Sequence, residues 1–149
     1  MKITFLILLS FTAILSSCGT YNEDDLKKFD SEIQSYIKKK NLDLKPSGSG
    51  LYYKIIEEGE GDFIQYNDII SFTYTGTLLN GEQFDKQSSP VEFKVNQLIG
   101  AWKEIMSSLK KGGKALLIAP PQLCYGDKKL DDIPENSILM FEMEVKDVK

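Results

Sequence analysis

What most constrains this chain is a pattern that begins at Leu51. Short runs of β-branched and aromatic residues are separated by turn signals and interrupted once by a helical period. Residues 51–57 (LYYKIIE) are rich in strand formers, and the Gly59 and Gly61 stretch after them is a turn. Residues 68–77 (DIISFTYTGT) alternate, and Asn80-Gly81 is a strong hairpin signal with 83–85 opening the return strand. Residues 90–95, 115–119 and 138–148 complete the strands. Between them, Trp102, Ile105, Met106 and Leu109 recur at helical spacing. The spacing predicts a helix from Asn96, as N-cap, to about Lys111, with Lys110 and Lys111 in its last turn and Gly112-Gly113 ending it. Antiparallel strands around a single internal helix make an α+β fold, a sheet folded over a helix. No internal repeat is present.

Composition narrows the chemistry. The chain has no His, and all 18 of its basic residues are Lys, against 22 Asp and Glu, for a net charge of −4. Without an imidazole base, serine and cysteine triads are excluded as ordinary mechanisms. Without His, and with two isolated Cys, no metal site is expected. An acidic chain lacking Arg has no bidentate reader of phosphate or guanine, so no nucleic-acid partner is expected. The length of 149 residues suits one domain of ordinary size.

The N-terminus reads as an address. Met1-Lys2 precedes an apolar run over residues 3–15, too short to span a bilayer, and then Ser16-Ser17-Cys18. Leu15-Ser16-Ser17-Cys18 resembles a bacterial lipobox, which implies a signal at residues 1–17 and lipidation of Cys18. An ordinary signal cleaved elsewhere and an uncleaved anchor are the competing readings. Lipidation leaves Cys124 without an internal partner, so no disulfide is expected. Gly19 is not the Asp that favours inner-membrane retention in some bacteria, so the expected location is the outer membrane, facing the periplasm. Glu23-Asp24-Asp25 resembles surface-export signals of some Bacteroidetes lipoproteins and equally suits a helix N-terminus.

Residues 18–49 read as a tether. Leu26, Phe29, Ile33 and Ile37 form one apolar stripe on a helix over residues 22–40, closed by Lys38-Lys39-Lys40. A spacer packed on the domain is the plainer role and a dimer contact the sharper one. Fewer than three heptads is short for a coiled coil, so a monomer is expected. Residues 46–50 (PSGSG) then break the chain and set the boundary of a domain over 50–149.

Within that domain, FTYTGTL (72–78), NGEQFD (80–85), PVEF (90–93), NQLIGAW (96–102), GGK (112–114), CYG (124–126), IPEN (133–136) and Phe141 occur in order. Together they resemble the FK506-binding-protein (FKBP) family of peptidyl-prolyl cis-trans isomerases. The resemblance implies a five- or six-stranded antiparallel sheet wrapped around a short helix, no cofactor, and proline-containing segments of exported or envelope proteins as substrate. Residue by residue, it implies Tyr74, Phe84 and Asp85 in one wall, Leu98 and Ile99 entering the helix, and the Ile99 amide as donor to a substrate carbonyl. It implies Trp102 as the floor, Tyr125 with its hydroxyl facing the ligand, and Ile133 and Phe141 as further lining. Taken singly, Trp102, Phe84, Ile133 and Phe141 are core residues first. Asp85 is costly to bury alone, and the Tyr74 hydroxyl is its expected partner.

Departures from the family pattern bear on activity. Val91 stands where a Phe is common, which makes that wall smaller. Ala101 replaces the usual Gly before the floor Trp, and Cys124 the usual Ala before the pocket Tyr. The Arg that pairs with the Asp in some members is missing, with Lys86 or Ser88 as weak substitutes. These predict an isomerase of reduced rate and lowered macrolide affinity. The alternative is a chaperone or binding module of the envelope that needs no turnover; a third reading is a structural lipoprotein whose helix recruits a partner.

Overall fold

The computed structural model describes residues 21–149; the expected signal over 1–17 and Cys18 lie outside the described residues. In chain order the elements are α1 (Glu23–Lys40), β1 (Lys45–Pro46), β2 (Tyr52–Glu57), β3 (Ile69–Leu78), β4 (Gln83–Lys94), α2 (Gly100–Met106), β5 (Lys114–Ala119) and β6 (Leu139–Val148). The strands form one six-stranded sheet in the order β1-β2-β5-β6-β3-β4. Every neighbouring pair is antiparallel. The α+β expectation therefore holds.

Strand alternation sorts side chains onto two faces. Ala115, Leu117 and Ala119 of β5 and Leu139, Phe141, Met143 and Val145 of β6 join α2 in the main core. Residues of the opposite parity, Tyr52, Ile118 and Met140, face the other way and form a second cluster under α1. The helix thus covers one face of the sheet while the other wraps α2.

α1 begins with a reciprocal cap. The Asn22 side chain accepts from the amides of Asp24 and Asp25, each at 2.9 Å, and the Asp25 carboxylate accepts from the Asn22 amide at 3.1 Å. Glu23, Asp24 and Asp25 fill the first turn of α1, where carboxylates suit the helix dipole. Phe29 and Ile33 are the buried part of its stripe. The Tyr52 hydroxyl donates to Asp30 Oδ1 at 2.7 Å, fixing the helix to β2. Leu26, the first residue of the expected stripe, is exposed.

Two expectations are corrected. Residues 83–85 and 90–95 are one continuous strand, β4, not two. Its register jumps between Phe72–Val91 and Tyr74–Gln87, so Ser88, Ser89 and Pro90 form a bulge on an edge strand. There a proline costs no ladder bond. The helix predicted over 96–111 is shorter at both ends. Val95–Gln97 is a 3₁₀ turn, and Leu98 and Ile99 are extended at ψ 165° and 158° before α2 starts at Gly100. Asn96 caps nothing; its side chain donates to Asn67 Oδ1 at 3.2 Å. At the other end the amides of Ser108 and Leu109 bond three residues back. The Ser107 hydroxyl takes the Glu104 carbonyl at 2.8 Å. Lys110 donates its amide to Glu58 O instead. The turn tightens and the helix ends.

Candidate active site

Phe72, Tyr74 and Gly76 share the core-side parity of β3, and the site grows from that row. Trp102, on the first turns of α2, is met edge-on from three sides. Its ring centroid lies 4.7 Å from Tyr74, 5.3 Å from Phe72 and 5.1 Å from Phe141. Phe84 stands edge-on to Phe141 at 5.8 Å. These T-shaped contacts suit the ring quadrupoles. The expected site residues Tyr74, Phe84, Val91, Leu98, Ile99, Trp102, Tyr125, Ile133 and Phe141 all belong to this one apolar cluster. Leu98, Trp102 and Ile133 keep 7–8% of their surface while Phe72 and Met106 keep none, so solvent reaches the cluster at those three residues. Tyr74, Phe84, Asp85, Val91, Ile99 and Tyr125 are half-buried.

The polar groups are few. The Tyr74 hydroxyl donates to Asp85 Oδ2. Burial first, and that carboxylate second, push the Tyr74 pKa well above its ordinary value. Tyr125 is raised too, by burial, then Cys124 and Asp85. Both hydroxyls therefore stay protonated at neutral pH. Among the described residues neither the Tyr125 hydroxyl nor the Ile99 amide has a protein partner. The buried Trp102 Nε1 is also unpartnered among the described residues. An orphan donor of this kind costs about 1–3 kcal/mol. No group of three or more metal-ligating side chains occurs among the described residues.

Ala101 is fully buried at the start of α2. The tight approach falls one residue earlier: a Cβ on Gly100 would sit 3.2 Å from Leu123 O. Lys86 and Ser88 do not replace the missing Arg; both are exposed, and neither pairs with Asp85 among the described residues. Lys86 lies one step from Asp85 along β4, so it points to the other face. Cys124 has no disulfide partner among the described residues, and burial pushes its thiol up to about 12. Two contributors escaped the sequence reading. Phe72 backs Trp102 directly, and Gly76 leaves the space that Phe84 fills, since a Cβ there would lie 2.5 Å from Phe84 Cζ. The period of β3 held the signal, for both share the parity of Tyr74.

Residues 61–146 match the family model of the FKBP-type peptidyl-prolyl cis-trans isomerases. The chain belongs to this family. Its FKBP-type domain resembles that of the isomerase FkpA of Escherichia coli (strain K12), 35% identical over 141 residues, covering 91% of this chain and 52% of that protein. A probable FKBP-type isomerase of Haemophilus influenzae is 43% identical over 113 residues, covering 73% of this chain and 47% of the relative. The crystal structure of FkpA from Escherichia coli superposes with a TM-score of 0.73 at 35% identity, covering 85% of this chain and 62% of that one. The chain spans about half the length of the curated relatives it matches.

Proposed function

We propose that this chain is a peptidyl-prolyl cis-trans isomerase acting on X–Pro bonds of exported proteins. The observation that carries the reading is an aromatic floor at Trp102 beside two unspent donors, the Ile99 amide and the Tyr125 hydroxyl. Rotation about a peptide bond faces a barrier of ~18–20 kcal/mol because resonance holds the amide planar. That resonance also separates charge, and the twisted transition state loses much of the separation. An apolar surface therefore disfavours the planar ground state relative to the twisted one. Phe84, Val91, Leu98, Trp102, Ile133 and Phe141 supply that surface. The Ile99 amide holds a substrate carbonyl, and Tyr125 holds a second acceptor at the rim. Asp85 keeps Tyr74 in place and takes no proton from substrate.

A protease-coupled assay on a proline tetrapeptide tests this. The full chain accelerates isomerisation, and Trp102→Ala, with the fold intact, loses most of the effect. A folded chain with no acceleration leaves the second reading, a binding module. What favours that reading is Asp85, which has no cationic partner among the described residues.

The tether reading belongs to the same proposal. Residues 1–17 are removed, Cys18 carries lipid, residues 18–49 join the anchor to the domain at 50–149, and the monomer faces the periplasm from the outer membrane. The lipobox-like LSSC supports it, and no helix among the described residues is long and apolar enough to cross a membrane. Diacylglycerol with an amide-linked chain gives stable anchoring where one chain is marginal. Cys18→Ser releases the protein from membranes; retention in the membrane fraction contradicts lipidation.

A further inference from the structure

The start of α1 is fastened to the loop that follows Tyr125 and carries Ile133. Residues 126–136 leave the site after Tyr125 and bring back Ile133. The base of this loop closes on one main-chain bond, the Asn136 amide to Gly126 O at 3.0 Å. Asn136 is left-handed, with φ 59°, and turns the chain toward β6. From the helix side, the Tyr21 hydroxyl donates to Asn136 Oδ1 at 2.7 Å. A Cβ placed on Gly126 would lie 3.9 Å from that hydroxyl, so the tyrosine sits over both ends of the loop base. Tyr21 is itself held: its ring stands edge-on to Phe29 at 5.1 Å. Phe29 is buried between α1 and the sheet. The helix core is thereby linked through Phe29 and Tyr21 to Asn136, three residues from Ile133, and through it to Gly126, one residue from Tyr125. A mere spacer needs only the Phe29 and Ile33 face.

We propose that Tyr21 is a positioning residue for the peptide pocket, holding the loop base so that Tyr125 and Ile133 keep the spacing a proline peptide fits. This rests on the isomerase reading of that pocket. Because the link bears on Tyr125 and Ile133 and leaves Trp102 and the Ile99 amide untouched, it acts on substrate affinity and not on the rate within the bound complex.

The test uses the full chain and a proline tetrapeptide, with affinity from NMR titration and bound-state exchange from NMR at saturation. Tyr21→Phe removes the hydroxyl and keeps the ring on Phe29. One hydrogen bond at a partly exposed site sets the scale, so Kd rises about two- to fivefold while exchange at saturation and the urea midpoint stay at wild-type values. Asn136→Gly keeps the left-handed backbone, removes the acceptor and gives the same rise. The double variant is no weaker than either single one. Unchanged affinity in both single variants, additive losses in the double, or a loss that tracks a fall in the urea midpoint each overturns the role. A wild-type chain that binds peptide without accelerating it removes the isomerase reading alone, and the affinity comparison still decides on Tyr21. A wild-type chain that neither binds nor accelerates overturns both.

Discussion

Tyr74 and Asp85 meet diagonally across the β3–β4 ladder: Tyr74 faces Gln87 in register, Asp85 faces Gly76, and the tyrosine hydroxyl donates to the carboxylate. Diagonal neighbours are within reach of an aromatic side chain. The pair anchors one wall of the site while leaving the Tyr74 ring on Trp102. Tyr74→Phe strips a half-buried carboxylate of its donor and costs about 1–3 kcal/mol of stability. Adding Asp85→Ala recovers part of that loss, since the orphaned charge is gone. A double-mutant cycle in urea measures the coupling; purely additive losses show that the contact is energetically idle.

Gly76 is a packing requirement of the site. A Cβ would lie 2.5 Å from Phe84 and 3.1 Å from Phe141, so Gly76→Ala must drive the Phe84 ring off Phe141. Overpacking of this kind costs about 1–3 kcal/mol. Denaturant titration reads the stability, and peptide binding falls with it because Phe84 leaves the wall. A variant with wild-type stability and affinity shows that the ring has another place to go.

The attachment of α1 to the sheet predicts an asymmetric alanine scan. Ile33 is fully buried and Leu26 is 39% exposed. Ile33→Ala costs about 2–5 kcal/mol, the range for deleting a buried aliphatic side chain. Leu26→Ala stays within about 0.5 kcal/mol. Equal, small effects show that the helix does not contribute to the domain's stability.

Alkaline pH destabilises the fold. The Cys124 thiol moves from 9.0 to about 12 on folding, and Tyr74 is raised as well, so the folded state keeps protons that the unfolded chain gives up. Stability from such groups is complete below the unfolded pKa and is lost as pH rises toward the folded one. The loss starts near pH 9, and Cys124 alone accounts for about 2–3 kcal/mol by pH 11. Exposed Lys114 and Lys149, raised by Glu57 and Glu92, act in the same direction. Urea midpoints fall between pH 8 and 11, and Cys124→Ala flattens the slope. An unchanged slope in that variant places the titration elsewhere.

Much of the domain could be read from its residues because local signals and packing agree there. The alternation of β3 and β6 names the core face, and the ordered fragments around Tyr74, Trp102 and Tyr125 meet in one apolar cluster. Helix ends were less legible. Asn96 has the chemistry of a cap, yet burial of Leu98 and the close pass of Gly100 over Leu123 favour an extended step before α2. The β4 bulge falls between the two short strands read at 83–85 and 90–95, and at an edge Pro90 breaks no ladder bond. The Tyr21–Asn136 bond joins residues 115 apart, and no local pattern encodes it.

The central claim is that the bond rotates on an apolar aromatic floor with a backbone donor and no proton transfer. Exchange of a proline tetrapeptide, followed by NMR with catalytic amounts of the full chain from pH 6 to 8, tests it most directly. The account predicts acceleration above the uncatalysed rate that is flat across this range, in a chain with no His and with the Tyr74 and Tyr125 hydroxyls held protonated. A sigmoidal or bell-shaped profile, or no acceleration from a folded chain, contradicts it.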